Sequence, residues 1–145
     1  MIFGLLMVWV KHPLTNEVTM VDVGQGDSIF LRSMKGDTIL IDVGGKVTFG
    51  SKEKWQEASQ TSNAEKALIP YLQARGVSKI DHLVLTHTDT DHIGDLEEVA
   101  KRFKIKEICI SQGALTKLSF VKRLRTLKRP VRTLKAGDNL PMMGS

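Results

Sequence analysis

The sequence of 145 residues predicts an α/β domain in which a mixed β-sheet carries helices on one face. Two observations support this prediction. Short apolar runs separated by tight turns come first, as in an antiparallel meander, and from residue 64 onwards helical and strand-like segments alternate. The length, with 41% hydrophobic and 26% charged residues, fits one globular domain with a real core.

Residues 1–12 form an apolar segment that we separate from the domain, which is expected at residues 17–145. The apolar run of ten residues is too short to cross a bilayer, which needs roughly 20. It lacks the basic leader and cleavage site of a signal peptide. It fits either an opening strand or the end of a transmembrane helix. The second interpretation is favoured because Trp9, Lys11 and His12 are residue types found at membrane interfaces.

Periodicity and turn residues define the elements of the domain. Pro70 is expected to kink or restart the first helix, which Ser62 or Asn63 would cap. Residues 46–61 lack periodicity and are predicted to form a mobile loop near the site. The strands are predicted at residues 17–23, 28–32, 38–43, 79–85, 105–110 and 131–134, and the helices at 64–75, 95–103 and 116–127.

Two predictions concern buried side chains. Cys109 lies between two isoleucines and is expected to be a buried strand residue, and one cysteine cannot form a disulfide framework. The last helix is amphipathic, and its apolar stripe is predicted to belong to the core. That stripe consists of Leu118, Val121, Leu124 and Leu127.

Two imidazoles and two carboxylates directly follow the predicted strand at 79–85: His87, Asp89, Asp91 and His92. Both groups are good ligands for zinc, manganese or iron. In extended backbone His87 and Asp89 point the same way, and a tight turn could bring Asp91 and His92 to a second point nearby. This layout is typical of a two-metal site. The alternative is a solvated loop, which the position between a strand end and a helix start disfavours.

Three further residues lie near this motif in the predicted order of elements. Asp42 and Asp22 each end an apolar strand just before glycine. Both are candidates for orienting a metal ligand without binding the metal themselves. Loop capping is an equal alternative for Asp22 and a weaker one for Asp42. His82, within the strand, is expected to be packed or hydrogen-bonded rather than to be a ligand.

Positive charge is concentrated in the last third of the chain. Residues 101–145 contain 12 Lys and Arg against 2 Asp and Glu, whereas residues 1–100 are net acidic. A polyanion such as nucleic acid would fit such a face. A solvated helix face, or a surface that meets an acidic region outside this chain, fits as well. The candidate nucleic-acid-binding residues are Lys117, Lys122, Arg123, Arg125, Lys128, Arg129, Arg132 and Lys135.

Three motifs in order, VDVGQGDS at 21–28, ILIDVGG at 39–45 and LVLTHTDTDHIG at 83–94, resemble a known family. They are similar to the metallo-β-lactamase-fold domain of ComEC-type competence proteins, membrane channels that import single-stranded DNA. The resemblance implies that His87 and Asp89 hold a first metal, and that Asp91 and His92 hold a second. Asp91 would also be catalytic and steer the nucleophile. The oxygen donor Asp89 replaces the usual histidine, which favours manganese beside zinc.

The resemblance also implies that this chain is the first half of an αββα sandwich. No histidine follows His92, and the segment at 134–138 is similar to the family's midpoint. The implied function is two-metal hydrolysis of single- or double-stranded DNA in a DNA-uptake protein of the cell membrane, with this domain outside the cytoplasm. The isolated chain would be soluble and inactive, with the C-terminal half and membrane channel of the parent as partners, or a homodimer of the chain.

Two alternatives remain beside this function. The first is a catalytically inactive module that serves as a DNA-binding or assembly surface, which the absence of downstream ligands favours. The second is a hydrolase of small esters or lactams. This alternative is weaker because it would leave the basic residues of the last third of the chain unexplained.

Overall fold

Six short strands pair in chain order into one mixed sheet, β1-β2-β3-β4-β5-β6. The computed structural model describes residues 16–23, 26–44, 64–88 and 95–138. The apolar segment at 1–12, the loop at 46–61, the caps Ser62 and Asn63, and residues 89–94 of the histidine motif lie outside this range. The strands are β1 Glu17–Met20, β2 Ile29–Arg32, β3 Thr38–Ile41, β4 Lys79–Leu85, β5 Lys104–Ser111 and β6 Val131–Leu134.

The predicted meander and the mixed sheet are both confirmed. β1, β2 and β3 are antiparallel neighbours, with Met20 opposite Ile29 and Ile29 opposite Ile41. β3, β4, β5 and β6 then run parallel to one another. Four parallel strands place their carboxyl ends along the same edge of the sheet, which is where α/β proteins build their binding sites.

The helices connect the parallel strands. A π-helical turn at Ala64–Leu68 leads into α1 at Ile69–Ala74, with Pro70 in the first turn of α1. The helix therefore restarts at Pro70, because proline lacks the N–H that a helix interior needs and is tolerated in a first turn. α2 spans Leu96–Arg102, and a 3₁₀ turn at Gln112–Thr116 precedes α3 at Leu118–Thr126.

The core lies between the helices and one face of the sheet. Phe30, Leu40, Leu83 and Ile108 form a row across β2 to β5 and are fully buried. The ring of Tyr71, from α1, meets the Phe30 ring edge-on with centroids 6.2 Å apart. Aromatic pairs prefer this geometry to face-to-face stacking. The predicted layer of helices on one face is thus confirmed, and the core lies between this layer and the sheet.

The apolar stripe predicted for the last helix is wrong at one position. Leu118 is 75% exposed, whereas Phe120 and Leu124 are each 4% exposed and belong to the core. α3 begins only at Leu118, so its buried side follows positions 120, 121, 124 and 127. Residues 118 and 120 lie about 200° apart around a helix of 3.6 residues per turn, so both cannot face the sheet.

The second face of the sheet is made by the alternate residues of each strand. Val18 and Met20 of β1 are exposed on it, and their register partners Ile29 and Leu31 are half-buried. Among the described residues no helix has the length and hydrophobicity needed to cross a membrane.

Candidate metal centre at the ends of the parallel strands

Three adjacent parallel strands, β3, β4 and β5, end at one edge of the sheet, and each is followed by polar residues. Asp42 follows β3, Thr86 and His87 follow β4, and Ser111 ends β5. Because the strands are parallel and neighbouring, residues that are far apart in sequence meet at this edge.

Asp42 is fixed beside β4 by its backbone and its side chain. Its N–H donates to the carbonyl of Val84 at 2.8 Å, and its own carbonyl accepts the Ser28 hydroxyl at 2.8 Å. The residue has a φ of 56°, in the left-handed region that aspartate tolerates better than most side chains. It is only 4% exposed. This conformation turns the carboxylate towards the residue that follows β4.

The Asp42 carboxylate, the Thr86 hydroxyl and the His87 ring form a series of hydrogen bonds that we call the Asp42–Thr86–His87 relay. The Thr86 N–H donates to Asp42 Oδ1 at 2.9 Å, and the Thr86 hydroxyl contacts Asp42 Oδ2. The same hydroxyl lies 2.8 Å from His87 Nδ1. An ionised carboxylate only accepts, so the hydroxyl donates to Asp42 and accepts from Nδ1–H. This assigns the proton of a neutral His87 ring to Nδ1, and makes Nε2 its basic nitrogen.

The chemistry of His87 therefore fits a metal ligand. Metal-binding histidines characteristically donate their second ring nitrogen to a carboxylate, a carbonyl or water, which fixes the ring and its tautomer. Here the acceptor is a hydroxyl that is itself bound to a buried carboxylate. Sequence reasoning missed Thr86 as the intermediary; the signal was its place directly before His87 and opposite the end of β3.

A second buried carboxylate, that of Asp95, follows the predicted metal-binding motif. Asp95 is 8% exposed, and its Oδ2 accepts the Ala64 N–H at 2.7 Å. Sequence reasoning placed Asp95 in the first turn of a helix, and nothing in its neighbourhood signalled a partner 31 residues earlier. His87, the first residue of the predicted motif, and Asp95, which follows the motif, are thus both tied to the domain through buried carboxylates.

Of the other residues predicted for the metal site, the structure describes Asp22 alone. Asp22 is exposed and follows β1, three strands away from β4 in the order of the sheet. Asp89, Asp91 and His92 lie outside the described residues, so their roles stay predictions.

A cavity of about 230 Å³ opens at the same edge. We call it the strand-end cavity. It is bounded by the segment after β4 and by the turn after β5. Its lining residues are Thr86, His87, Thr88, Ser111, Gly113, Ala114 and Lys117.

A second group of potential ligands lies within the sheet, on its other face. His82 Nδ1 is 2.6 Å from Glu107 Oε1, which confirms that His82 is hydrogen-bonded. Cys109, fully buried as predicted, lies beside them, and the three ligand atoms are within 4.8 Å of one another. However, Arg132 lies 3.1 Å from the same oxygen of Glu107. Burial, and then the charge of Glu107, raise the pKa of the Cys109 thiol. A cation already neutralises Glu107 and the thiol stays protonated, so we interpret this group as a structural charge network.

The eight basic residues of the predicted nucleic-acid face divide into two sets. Three arginines have partners within the domain: Arg123 binds Glu97, Arg129 donates to the carbonyls of Leu127 and Ala100, and Arg132 pairs with Glu107. The others are exposed on or near α3 and β6. They are Lys117, Lys122, Arg125, Lys128 and Lys135.

Comparison with known proteins identifies the same family as the motifs. Residues 21–139 match the model of the metallo-beta-lactamase superfamily. The chain is 37% identical over 141 residues to ComE operon protein 3 of Bacillus subtilis, covering 94% of this chain and 18% of that protein. It is 33% identical over 84 residues to competence protein ComA of Neisseria gonorrhoeae, covering 58% of this chain and 10% of the relative.

A third relative is recombination protein 2 of Haemophilus influenzae, 29% identical over 106 residues, which are 73% of this chain and 12% of that protein. The chain thus spans less than a fifth of the length of each of these relatives. The resemblance to ComEC-type competence proteins is confirmed. With the family match extending over most of its length, the chain belongs to the metallo-beta-lactamase superfamily.

Proposed function

We propose that this chain is part of a metal-dependent phosphodiesterase domain of a DNA-uptake protein, and that the complete domain hydrolyses DNA with two metal ions. The observation that carries the proposal is the Asp42–Thr86–His87 relay, which prepares a histidine for a metal at the carboxyl edge of a parallel sheet. The likeness to ComE operon protein 3 and to a relative named competence protein ComA supports the DNA-uptake role.

The proposed ligands are His87 and Asp89 for one metal and Asp91 and His92 for the other, with zinc or manganese as the ion. Such ions, when bound, lower the pKa of a water molecule and polarise a phosphoryl oxygen. The chain's own residues prepare the site. Asp42 holds Thr86, Thr86 fixes the ring and tautomer of His87, and Asp91 steers the nucleophile.

The exposed basic residues of α3 and β6 support DNA as the substrate. Lysine and arginine side chains without base contacts bind the phosphate backbone irrespective of sequence. Removing one such contact reduces affinity about equally for all sequences and lowers the salt dependence of binding by about one ion. Arg123, Arg129 and Arg132 contribute less, because each is engaged within the domain.

A second candidate function is a module without catalysis that binds DNA or mediates assembly. The observation that favours it is in the sequence, since no histidine follows His92 to complete two metal sites. In this case the metal affinity of the chain is weak, and the basic residues still bind DNA.

The metal content of the purified chain separates the two candidates. Elemental analysis after incubation with Mn²⁺ or Zn²⁺ is expected to give about two ions per chain if the site is complete, and at most one weakly bound ion if it is half a site. In a protein that includes the second half of the domain, Asp91→Ala is expected to abolish DNA cleavage and to leave DNA binding intact. Asp138→Ala, an exposed aspartate outside the site, is the matched control. Cleavage that is unchanged in Asp91→Ala contradicts the nuclease assignment.

A further inference from the structure

The strand-end cavity has a chemical character that the metal ligands alone do not explain. Its lining combines hydroxyl side chains with a single charged residue among those described, Lys117. The hydroxyls belong to Thr86, Thr88 and Ser111. No described lining residue is a carboxylate. The Thr86 hydroxyl already donates to Asp42, so the hydroxyls of Thr88 and Ser111 are the donors that a ligand would meet. A concave surface with these two hydroxyls and one ammonium favours an anionic group with several acceptor oxygens.

The main chain of Lys117 is held on both sides. Its N–H donates to the carbonyl of Ala114 at 3.2 Å, and its carbonyl accepts the Val121 N–H at 3.0 Å in the first turn of α3. The position of the residue at the cavity is therefore fixed by the turn before it and the helix after it. Its side chain is exposed, unlike the arginines that pair within the domain.

The size of the cavity limits what can enter. At about 230 Å³ it is smaller than the roughly 300–1,000 Å³ of typical small-molecule pockets. This space suits one phosphate group with part of its sugar rather than a whole nucleotide. His87 lines the same cavity, so an anion bound there would lie next to the candidate metal centre.

We propose that the strand-end cavity binds the DNA phosphate next to the one that is hydrolysed, and that Lys117 positions the substrate by pairing with it. This inference rests on the proposed phosphodiesterase function. The proposal gives Lys117 a role that differs from that of the other exposed basic residues. Lys122, Arg125 and Lys128 bind the backbone at a distance from the site, whereas Lys117 sets the register of the strand relative to His87. Lysine suits this role because it acts on phosphate as a compact point charge.

The test compares two exposed lysines that lie five residues apart. Binding of a 5′-phosphorylated thymidine trinucleotide to the full chain is measured by calorimetry at low salt, and its site by amide ¹H–¹⁵N shifts. We expect Lys117→Gln to weaken binding about tenfold, the low end of what a hydrogen bond to a charged group contributes, and Lys117→Arg to restore most of it. Lys122→Gln, which removes a backbone contact at a distance from the site, is expected to weaken binding by a clearly smaller factor than Lys117→Gln. Lys104→Gln, at an exposed lysine that begins β5, is the control that should leave binding unchanged. In the wild type the amides of Gly113 and Lys117 are expected to shift, and inorganic phosphate is expected to compete.

The remaining outcomes overturn one proposal or the other. Equal losses in Lys117→Gln and Lys122→Gln, or shifts confined to α3 beyond its first turn, overturn the subsite but leave the DNA-binding function standing. A wild-type chain that binds neither the trinucleotide nor a 20-nucleotide strand overturns the proposed function and the subsite with it. Unchanged amide spectra of the unbound variants exclude misfolding as the cause of a loss.

Discussion

At the scale of single residues, the candidate site depends on one hydroxyl group. The Thr86 hydroxyl lies between the buried carboxylate of Asp42 and the ring of His87, 2.8 Å from Nδ1. Without it, the Nδ1 proton would lose its acceptor and the ring would lose its fixed tautomer. Thr86 is therefore expected to control metal affinity without touching the metal.

The Thr86→Val substitution tests this role, because it keeps the branched shape and removes only the hydroxyl. We expect the affinity for Zn²⁺ or Mn²⁺, measured by calorimetry, to fall about 10- to 100-fold, as for other residues that orient metal ligands. Thr126→Val is the control, since its exposed hydroxyl donates to the Arg123 carbonyl at the end of α3. Equal affinities of Thr86→Val and the wild type would refute the relay.

The sequence predicted part of this arrangement. Asp42 and His87 could be placed near each other because each follows an apolar strand, and the ends of parallel strands meet. The bridging by Thr86 required the positive φ of Asp42, which no local pattern announces. The bond from Ala64 to Asp95 spans 31 residues and likewise depends on tertiary packing. The metal positions at Asp89, Asp91 and His92 rest on the motif alone.

At the scale of elements, the position at which α3 begins decides which of its side chains are buried. Several helical registers of residues 116–127 produce an apolar stripe, so periodicity alone could not separate Leu118 from Phe120. The 3₁₀ turn at Gln112–Thr116 delays the helix and selects the register that buries Phe120. Strands bounded by turn residues were easier to predict, and β4 and β6 have the predicted bounds.

Urea unfolding of two variants tests which side chains of α3 are buried. Phe120→Ala is expected to lower the free energy of unfolding by about 3 kcal/mol, because it removes a buried ring and leaves a cavity. Leu118→Ala is expected to change it by less than about 0.5 kcal/mol, as at other exposed sites. A larger loss in Leu118→Ala than in Phe120→Ala would mean that the helix is rotated from the register described.

The contact between α2 and α3 is expected to depend on pH. Burial by itself would raise the pKa of Glu97, but the hydrogen bonds and charge of Arg123 outweigh it and the pKa is lowered. Because the pKa of Glu97 is lower in the folded state than in the unfolded state, its carboxylate stabilises the protein when the pH is above the unfolded-state pKa, near 4.5. This contribution is lost as the pH falls below 4.5.

Glu97→Gln is expected to lower the free energy of unfolding by up to about 1 kcal/mol at pH 7, the upper end for a partly exposed ion pair. The difference from the wild type should disappear as the pH falls below 4.5 through the lowered pKa of the folded state. Glu98→Gln is the control, because Glu98 pairs within its own helix with Lys101, whose side chain is 68% exposed. A difference between wild type and Glu97→Gln that persists at pH 3 would rule out this linkage.

At the scale of the whole molecule, the sheet face opposite the helices exposes apolar side chains along β1. The register from β1 to β4 places Met20, Ile29, Ile41 and Val84 in one row on it, and Met20 is 74% exposed. A second row on the same face begins at Val18, which is 65% exposed, and is buried where it reaches Ile39 in β3. Contiguous apolar surface of this kind usually marks an interface. The chain spans 18% of ComE operon protein 3, so there is ample sequence in such a relative to supply a covering layer.

We expect this chain to cover the exposed part of this face with a second copy of itself. Sedimentation velocity over a range of protein concentrations should show reversible association, driven by removal of apolar surface from water. Replacing Val18 and Met20 together by lysine should shift the equilibrium towards monomer, because two ammonium groups on each copy would have to be desolvated and would repel each other.

The matched control for this association is Val131→Lys, an exposed valine on the other edge strand, in the row that faces the helices. It carries the same kind of charge onto the opposite side of the sheet and should leave association unchanged. Equal effects of the two changes would indicate association through net charge or an edge rather than through this face. A wild-type chain that stays monomeric at every concentration would mean that the rest of this chain already covers the face.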